Sequence, residues 1–209
     1  MPRGRTLPRS FYAQDSRTLA PLLLNKLLVL DLRNTGDPDV GRLAVRIVEV
    51  EAYAGSEDAG SHAYRGPTAR NATMFGPPGH CYVYFTYGMH WCMNVVCGAP
   101  GLASAVLLRA GAPVTGLAVM RSRRPAARHD RVLCSGPARL TQALSIDGSY
   151  DGADLVRGSL RLLDDGVATP VVPGVSRRIG LREGRGDKHP WRWFVEGDPN
   201  VSRGPRPQN

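Results

Sequence analysis

The strand and helix signals in this sequence predict a single domain of mixed α/β class, and three observations carry that expectation. The chain has 209 residues, enough for one sizeable core, and no break in composition divides it. Runs rich in Val and Ile read as strands beside three segments that read as helices. Two further apolar runs, "HCYVYFT" and "HWCMNVVC", flank Tyr87-Gly88-Met89 and read as a β-hairpin.

In chain order, "DSRTLAPLLLNKLL" predicts a helix starting near Asp15 or Ser16, with "KLLVLDLR" following as a strand. "LAVRIVEVEAY", from Leu43 to Tyr53, is the next strand. A strict period of two puts Val45, Ile47, Glu49, Glu51 and Tyr53 on one side, and Arg46, Val48, Val50 and Ala52 on the other. From Ala54 to Gly79 no periodicity is sustained, which predicts a long loop, and long ordered loops are usually functional. After the hairpin, in which His80 and His90 are expected to face each other, "LASAVLLRAG" is a strand and "TGLAVMRSRR" and "GPARLTQAL" are helices. The second of these helices has Ser135 as N-cap and Pro137 in its first turn. A Pro- and Gly-rich stretch from Val171 to Gly186 leads to a closing strand in "KHPWRWFVEG", and the tail "RGPRPQN" reads as disordered.

The net charge is +9, with a sequence pI near 9.9. Such a balance favours a polyanionic partner, nucleic acid first and a membrane surface second. Lysine occurs only at Lys26 and Lys188, so arginine, which grips phosphate in a bidentate way, supplies the other 25 of the 27 basic residues. The same bias is also what a GC-rich genome produces. The apolar run near the N-terminus is interrupted by Pro21, Asn25, Lys26 and Asp31, which argues against a signal peptide or spanning helix and for an intracellular, cytoplasmic protein. Cys81, Cys92, Cys97 and Cys134 form no CxxC pair and are expected as buried free thiols. The five histidines lack the H-x-E and P-C-x-x-C spacing that a zinc deaminase needs, so no metal and no cofactor is expected.

"YVYFTYGMHWCMN" places three tyrosines within six residues. Tyr87 at the hairpin tip fits a wedge that enters a base stack, and it fits equally a tip residue folded back on the core. Tyr82 and Tyr84 fit a stacking surface or ordinary core. A carboxylate ending a strand face near aromatic rings, followed by a long loop, is a common way to build a pocket with a general base. Glu51 and Glu49 both meet that description.

Together these segments resemble the alkyladenine (3-methyladenine) DNA glycosylase family, in a bacterial type. The matching residues are "VEAY" at Val50 to Tyr53, "SHAYRGPTARNATMFGPPG" at Ser61 to Gly79 and "YVYFTYGMHWCMN" at Tyr82 to Asn94, then "VLLRA" at Val106 to Ala110, "SGPARLTQAL" at Ser135 to Leu144 and "PWRWFVEGDPNVS" at Pro190 to Ser202. They run in order over nearly all of Leu7 to Ser202. The resemblance implies an α+β domain with a curved, mostly antiparallel sheet carrying a protruding, DNA-intercalating hairpin. It implies a monomer that acts on double-stranded DNA with damaged purines, Glu51 being the base that activates water and Arg109 holding the water and the carboxylate. Tyr53, His62 and Tyr84 would stack on the flipped base, and the backbone at His62 would read its edge. Asn94 would oppose the exocyclic amine of guanine, and Tyr87 would fill the vacated stack. His90 and Trp91 stand where animal members often carry Tyr and Phe, a difference that bears on lesion preference. Glycosylases that also cut the backbone need an amine nucleophile, and neither Lys26, in an apolar helix end, nor Lys188, in a polar loop, invites that role. Two other classes remain open on the residues alone: a non-catalytic sensor of distorted DNA, and a basic domain that binds RNA or ribosomes.

Overall fold

A computed structural model of the chain describes residues 4–32 and 41–204. The elements are β1 (Arg5–Thr6), α1 (Arg9–Tyr12), α2 (Ser16–Leu23), β2 (Leu27–Asp31), β3 (Arg42–Ala54), β4 (Cys81–Thr86) and β5 (His90–Cys97). They continue as β6 (Ser104–Thr115), α3 (Leu117–Arg123), α4 (Pro137–Leu144), β7 (Leu160–Asp164), β8 (Gly174–Ser176) and β9 (Arg192–Phe194). All nine strands form one sheet in the order β1-β7-β2-β3-β6-β5-β4, with β9 joining β3 and β8. Every pairing among the described residues is antiparallel, and the mixed class with an antiparallel sheet is the one expected.

The two faces of the sheet have different tasks. On one face Leu19, Ala20 and Leu23 of α2 and Leu140, Ala143 and Leu144 of α4 close over Val45, Ile47, Val50, Val95, Val106 and Leu108 in the main core. The leucine, isoleucine and valine side chains among them each contribute about 1.5–3 kcal/mol by leaving water. On the opposite face Tyr82, Val96 and Ala105 pack under Ala63 and Met74 of the long loop. That loop, free of α-helix and strand from 55 to 80, is therefore the lid of a second and smaller layer.

β3 departs from the strict alternation that its sequence suggests. Its register on β6 runs Ile47↔Gly111, Glu49↔Ala110, Val50↔Leu108, so Val48 and Arg109 stand opposite no partner. A bulge reverses the phase of side chains along a strand. Val45 and Ile47 accordingly share the main core with Val50 and Ala52, and the face expected to begin apolar and end in carboxylates does not exist. Glu49 and Glu51 lie on the other side, the side of the loop.

Other boundaries moved for local reasons. β6 continues to Thr115, and Gly116, at φ 83°, turns the chain into α3 two residues later than expected. Gly136 rather than Ser135 occupies the cap position of α4, while Ser135 Oγ accepts from Arg139 Nη1 at 3.2 Å. His80 does not face His90: it bridges to Asp154, and His90 pairs with Thr86. Strands β1, β7 and β8 were not anticipated, and the closing strand β9 is only three residues long. Arg203 and Gly204 are described, and the rest of the expected disordered tail lies outside the described residues.

Gly55, where β3 meets the long loop, has φ 60°, and a Cβ there would strike the Leu102 carbonyl oxygen. Gly55→Ala is expected to destabilise the fold by at least about 1–3 kcal/mol, read as a lower midpoint in urea unfolding.

Candidate active site

One row of paired residues crosses six strands on the loop side of the sheet. Tyr82 pairs with Asn94, Asn94 with Leu107, Leu107 with Glu51, Glu51 with Arg192, and Arg192 with Ser176. Strand register alone thus brings residues from distant parts of the chain side by side. β9 covers β3 only over Glu49–Glu51, which leaves these carboxylates fully buried.

A buried carboxylate needs partners, and the two have different ones. Glu49 Oε1 accepts from Arg109 Nε at 2.8 Å, from Arg192 Nε at 2.7 Å and from Ser202 Oγ at 2.8 Å, and Glu49 Oε2 accepts from the Ser202 N–H at 2.7 Å. Burial pushes the Glu49 carboxyl up, but Arg109, Arg192 and these hydrogen bonds prevail and hold it below the usual carboxylate value. Glu51 Oε2 accepts from Tyr53 Oη at 3.0 Å and lies 3.2 Å from Arg109 Nη1, while Oε1 accepts from the Ile179 N–H at 2.7 Å. Two carboxylates and the two guanidiniums of Arg109 and Arg192 form a charge-balanced cluster. Burial works against the charge on Arg109, yet Glu51 and Glu49 hold it firmly protonated.

Above the cluster opens a cavity of about 310 Å³, the size of a small ligand site. Tyr53, His62, Tyr84, Asn94 and Arg109 line it, with Tyr87 at its rim. Glu51 is not itself on the cavity wall, but three of its contacts are: Tyr53, Arg109 and Ile179. The structure therefore brings together all seven residues singled out in the sequence.

Aromatic packing shapes the walls. The His62 ring meets Tyr84 edge-on at 4.4 Å, and its Nδ1 is 3.1 Å from Tyr82 Oη. Tyr82 is 1% exposed and stacks on Tyr84 at 5.6 Å; of the two hairpin tyrosines left open by pattern, both reach the cavity wall, Tyr82 as a core residue behind it and Tyr84 half-buried on it. Desolvation, then the nearby Arg70 charge, lowers the His62 pKa, which leaves the ring neutral at pH 7. Desolvation also raises the Tyr53 and Tyr84 hydroxyls, with Glu51 adding to the effect. Asn94 is buried, its Nδ2 donating to the Tyr82 carbonyl at 3.2 Å.

Tyr87 is 80% exposed and has φ 52°, followed by Gly88 at φ 67°. The Met89 N–H closes the turn on the Thr86 carbonyl at 3.2 Å. Positive φ is tolerated by glycine but costs a bulky residue roughly 1–3 kcal/mol, so the tyrosine is held outward at some expense. The alternative of a tip folded back on the core is not what the chain adopts.

Several residues of the site are not singled out in the sequence. Asn71 pins the loop, donating to the carbonyls of His62 at 2.9 Å and Gly66 at 3.1 Å and accepting from the Thr68 N–H at 2.6 Å. Arg192 and Ser202 complete the set of donors to Glu49, and the Ile179 N–H, next in sequence to the Arg178 that pairs with Asp58, donates to Glu51. Asn71, Arg192 and Ser202 lie within segments that carry the family resemblance, whereas Asp58, Arg178 and Ile179 lie outside all of them.

The family model for methylpurine-DNA glycosylase matches residues 10–199. A protein of Burkholderia cenocepacia is 52% identical over 201 residues, which is 95% of this chain and 92% of that one; it carries the name "Putative 3-methyladenine DNA glycosylase". Relatives with the same name in Streptomyces avermitilis and Carboxydothermus hydrogenoformans are 51% and 45% identical, covering 96% and 94% of this chain and 92% and 98% of their own.

Because the folded pKa of Glu49 lies below its unfolded one, its stabilisation is present at neutral pH and is lost as the pH falls from about 4.5 through the folded value. Glu49→Gln, which strips Arg109 and Arg192 of a shared partner, is expected to cost about 3–5 kcal/mol at pH 7. That gap should narrow towards pH 3, measured by thermal unfolding across pH.

Proposed function

The chain belongs to the methylpurine-DNA glycosylase family, and from that premise we propose that it flips alkylated or deaminated purines out of duplex DNA and hydrolyses their N-glycosidic bond with a water activated by Glu51. The observation that carries this reading is a buried carboxylate with three donors, set behind the wall of an aromatic cavity whose rim holds an exposed tyrosine.

Extruding a base costs a few kcal/mol, least for a damaged one that pairs or stacks poorly. Tyr87, rigidly presented, takes the vacated place in the stack. The flipped base then lies among Tyr53, Tyr84 and His62, where aromatic stacking contributes about 1–3 kcal/mol per base. Alkylated purines are cationic, and neutral tyrosine faces favour them over normal purines. A neutral His62 adds no repelling charge. Asn94, fixed by Tyr82, stands where the amine of guanine would meet it.

Bond cleavage builds positive charge on the sugar, as in glycoside hydrolysis. Glu51 as an anion stabilises that charge and takes a proton from the attacking water. Arg109, with Nη1 3.2 Å from Oε2, holds Glu51 in place. A cationic base leaves without an acid.

The lysines support a monofunctional enzyme. Lys26 is buried, with Nζ 3.1 Å from Asp164 Oδ1, and neither it nor Lys188 lines the cavity. The protein is further proposed to act as a monomer in the cytoplasm, on nucleoid DNA. Among the described residues no helix is long and apolar enough to cross a membrane.

The testing experiment is base release by the wild-type protein from a duplex with one hypoxanthine and from methylated DNA. Free base from at least one, with no adduct trapped by borohydride, is the expected result. Tight binding with no free base from either would favour the damage-sensing reading instead. Tyr87→Ala should lower single-turnover excision by about ten- to a hundredfold, as loss of one stacking partner implies.

A further inference from the structure

Arg178 is a charge placed where the fold alone does not require one. Its side chain is completely buried. Nη1 donates to Asp58 Oδ2 at 2.5 Å and to the Ala52 carbonyl at 2.9 Å, and Nη2 donates to Asp58 Oδ1 at 2.7 Å and to the Gly186 carbonyl at 2.9 Å. The guanidinium also lies over the rings of Tyr53, at 4.6 Å, and Trp191, at 5.0 Å. Asp58 in turn accepts from the N–H groups of Gly60 at 2.9 Å and Ala54 at 3.3 Å. Buried pairs of this kind contribute little net stability compared with apolar residues of the same volume, so stability does not explain the arrangement.

Position does. The stretch between β8 and β9 has no regular structure of its own, yet its Ile179 N–H must sit 2.7 Å from Glu51, and Ile179 is the residue next to Arg178. A planar fork bonded on both arms, and held between two rings, fixes direction as well as distance in a way an ammonium does not. We propose that the Arg178–Asp58 pair is a positioning device for excision: it holds the Ile179 N–H on Glu51 and the Tyr53 ring in its stacking plane, without touching the substrate. The proposal rests on Glu51 being the base. It links the start of the long loop, the end of β3 and the 177–186 segment at one point, so that the carboxylate, its donor and the ring cannot drift separately.

The test uses the full chain, 15N-labelled, as wild type, Asp58→Asn, Arg178→Lys and Glu51→Gln. Asp58→Asn keeps the size of the side chain and one acceptor, enough for Gly60 or Ala54 but not both, so Arg178→Lys, which leaves Asp58 intact, and the melting temperature of each variant guard against simple misfolding. An amide proton on a carboxylate resonates downfield, and the Ile179 signal is expected to move upfield in all three variants. In Asp58→Asn and Arg178→Lys the saturating single-turnover excision rate should fall on the order of tenfold to a hundredfold, as small misplacements of catalytic groups do. Affinity for a duplex carrying a tetrahydrofuran abasic analogue should stay within about twofold, because only the chemical step is disturbed. A wild-type excision rate in either variant overturns the proposal, whatever the amide does. So does a loss of rate matched by equal losses in affinity and melting temperature, which marks a merely structural pair. Full activity in Glu51→Gln would instead overturn the assignment of the base beneath it, a distinguishable failure.

Discussion

Arg109 lies between two buried carboxylates, and the rest of the site is arranged around that contact. Its Nε bonds Glu49 at 2.8 Å and its Nη1 lies 3.2 Å from Glu51. Taking a carboxylate out of water is costly unless it is paired, and Arg109 is the partner that the two buried acids share. Glu49 is then saturated by Arg192 and Ser202 and has no capacity left for a proton transfer. Glu51 is held by weaker and fewer charges and lies directly behind the cavity wall. On the proposed function, two residues of the same type, two positions apart, are thereby divided between anchoring and chemistry.

The irregular register of β3 on β6 makes this division possible. If the strands alternated strictly, the apolar Val45 and Ile47 would share a face with the carboxylates. The unpaired Val48 and Arg109 reset the phase, turning Ile47 into the core and Glu49 away from it. Bulges recur next to active sites because they re-aim a side chain without breaking a sheet. Here the bulged residue on β6 is the arginine that binds both acids.

Much of this was legible in advance. The hairpin with Tyr87 at its tip and the long loop follow from local signals, though not that Tyr87 would stand exposed, and motif resemblance picked out Tyr53, His62, Tyr84, Asn94 and Arg109, which line one cavity, and Glu51, which lies directly behind its wall. What the residues hid was non-local. A bulge leaves no mark in a Val-rich strand, so the faces of β3 were misassigned. β9 is short and held by β3, and β8 by β9, rather than by propensity, which is why β8 was concealed in the Pro- and Gly-rich stretch and the bounds of β9 were blurred. Arg178, Asp58 and Ser202 act across more than 100 residues of sequence, a separation over which no periodicity speaks.

The division of labour between the two carboxylates is the central claim, and a side-by-side comparison of Glu51→Gln and Glu49→Gln tests it most directly. Single-turnover excision would be followed at a temperature where both variants remain folded, together with binding to damaged duplex. Excision abolished in Glu51→Gln with binding intact, and largely retained in the less stable Glu49→Gln, is the expected result. Equal loss of excision from both would contradict it.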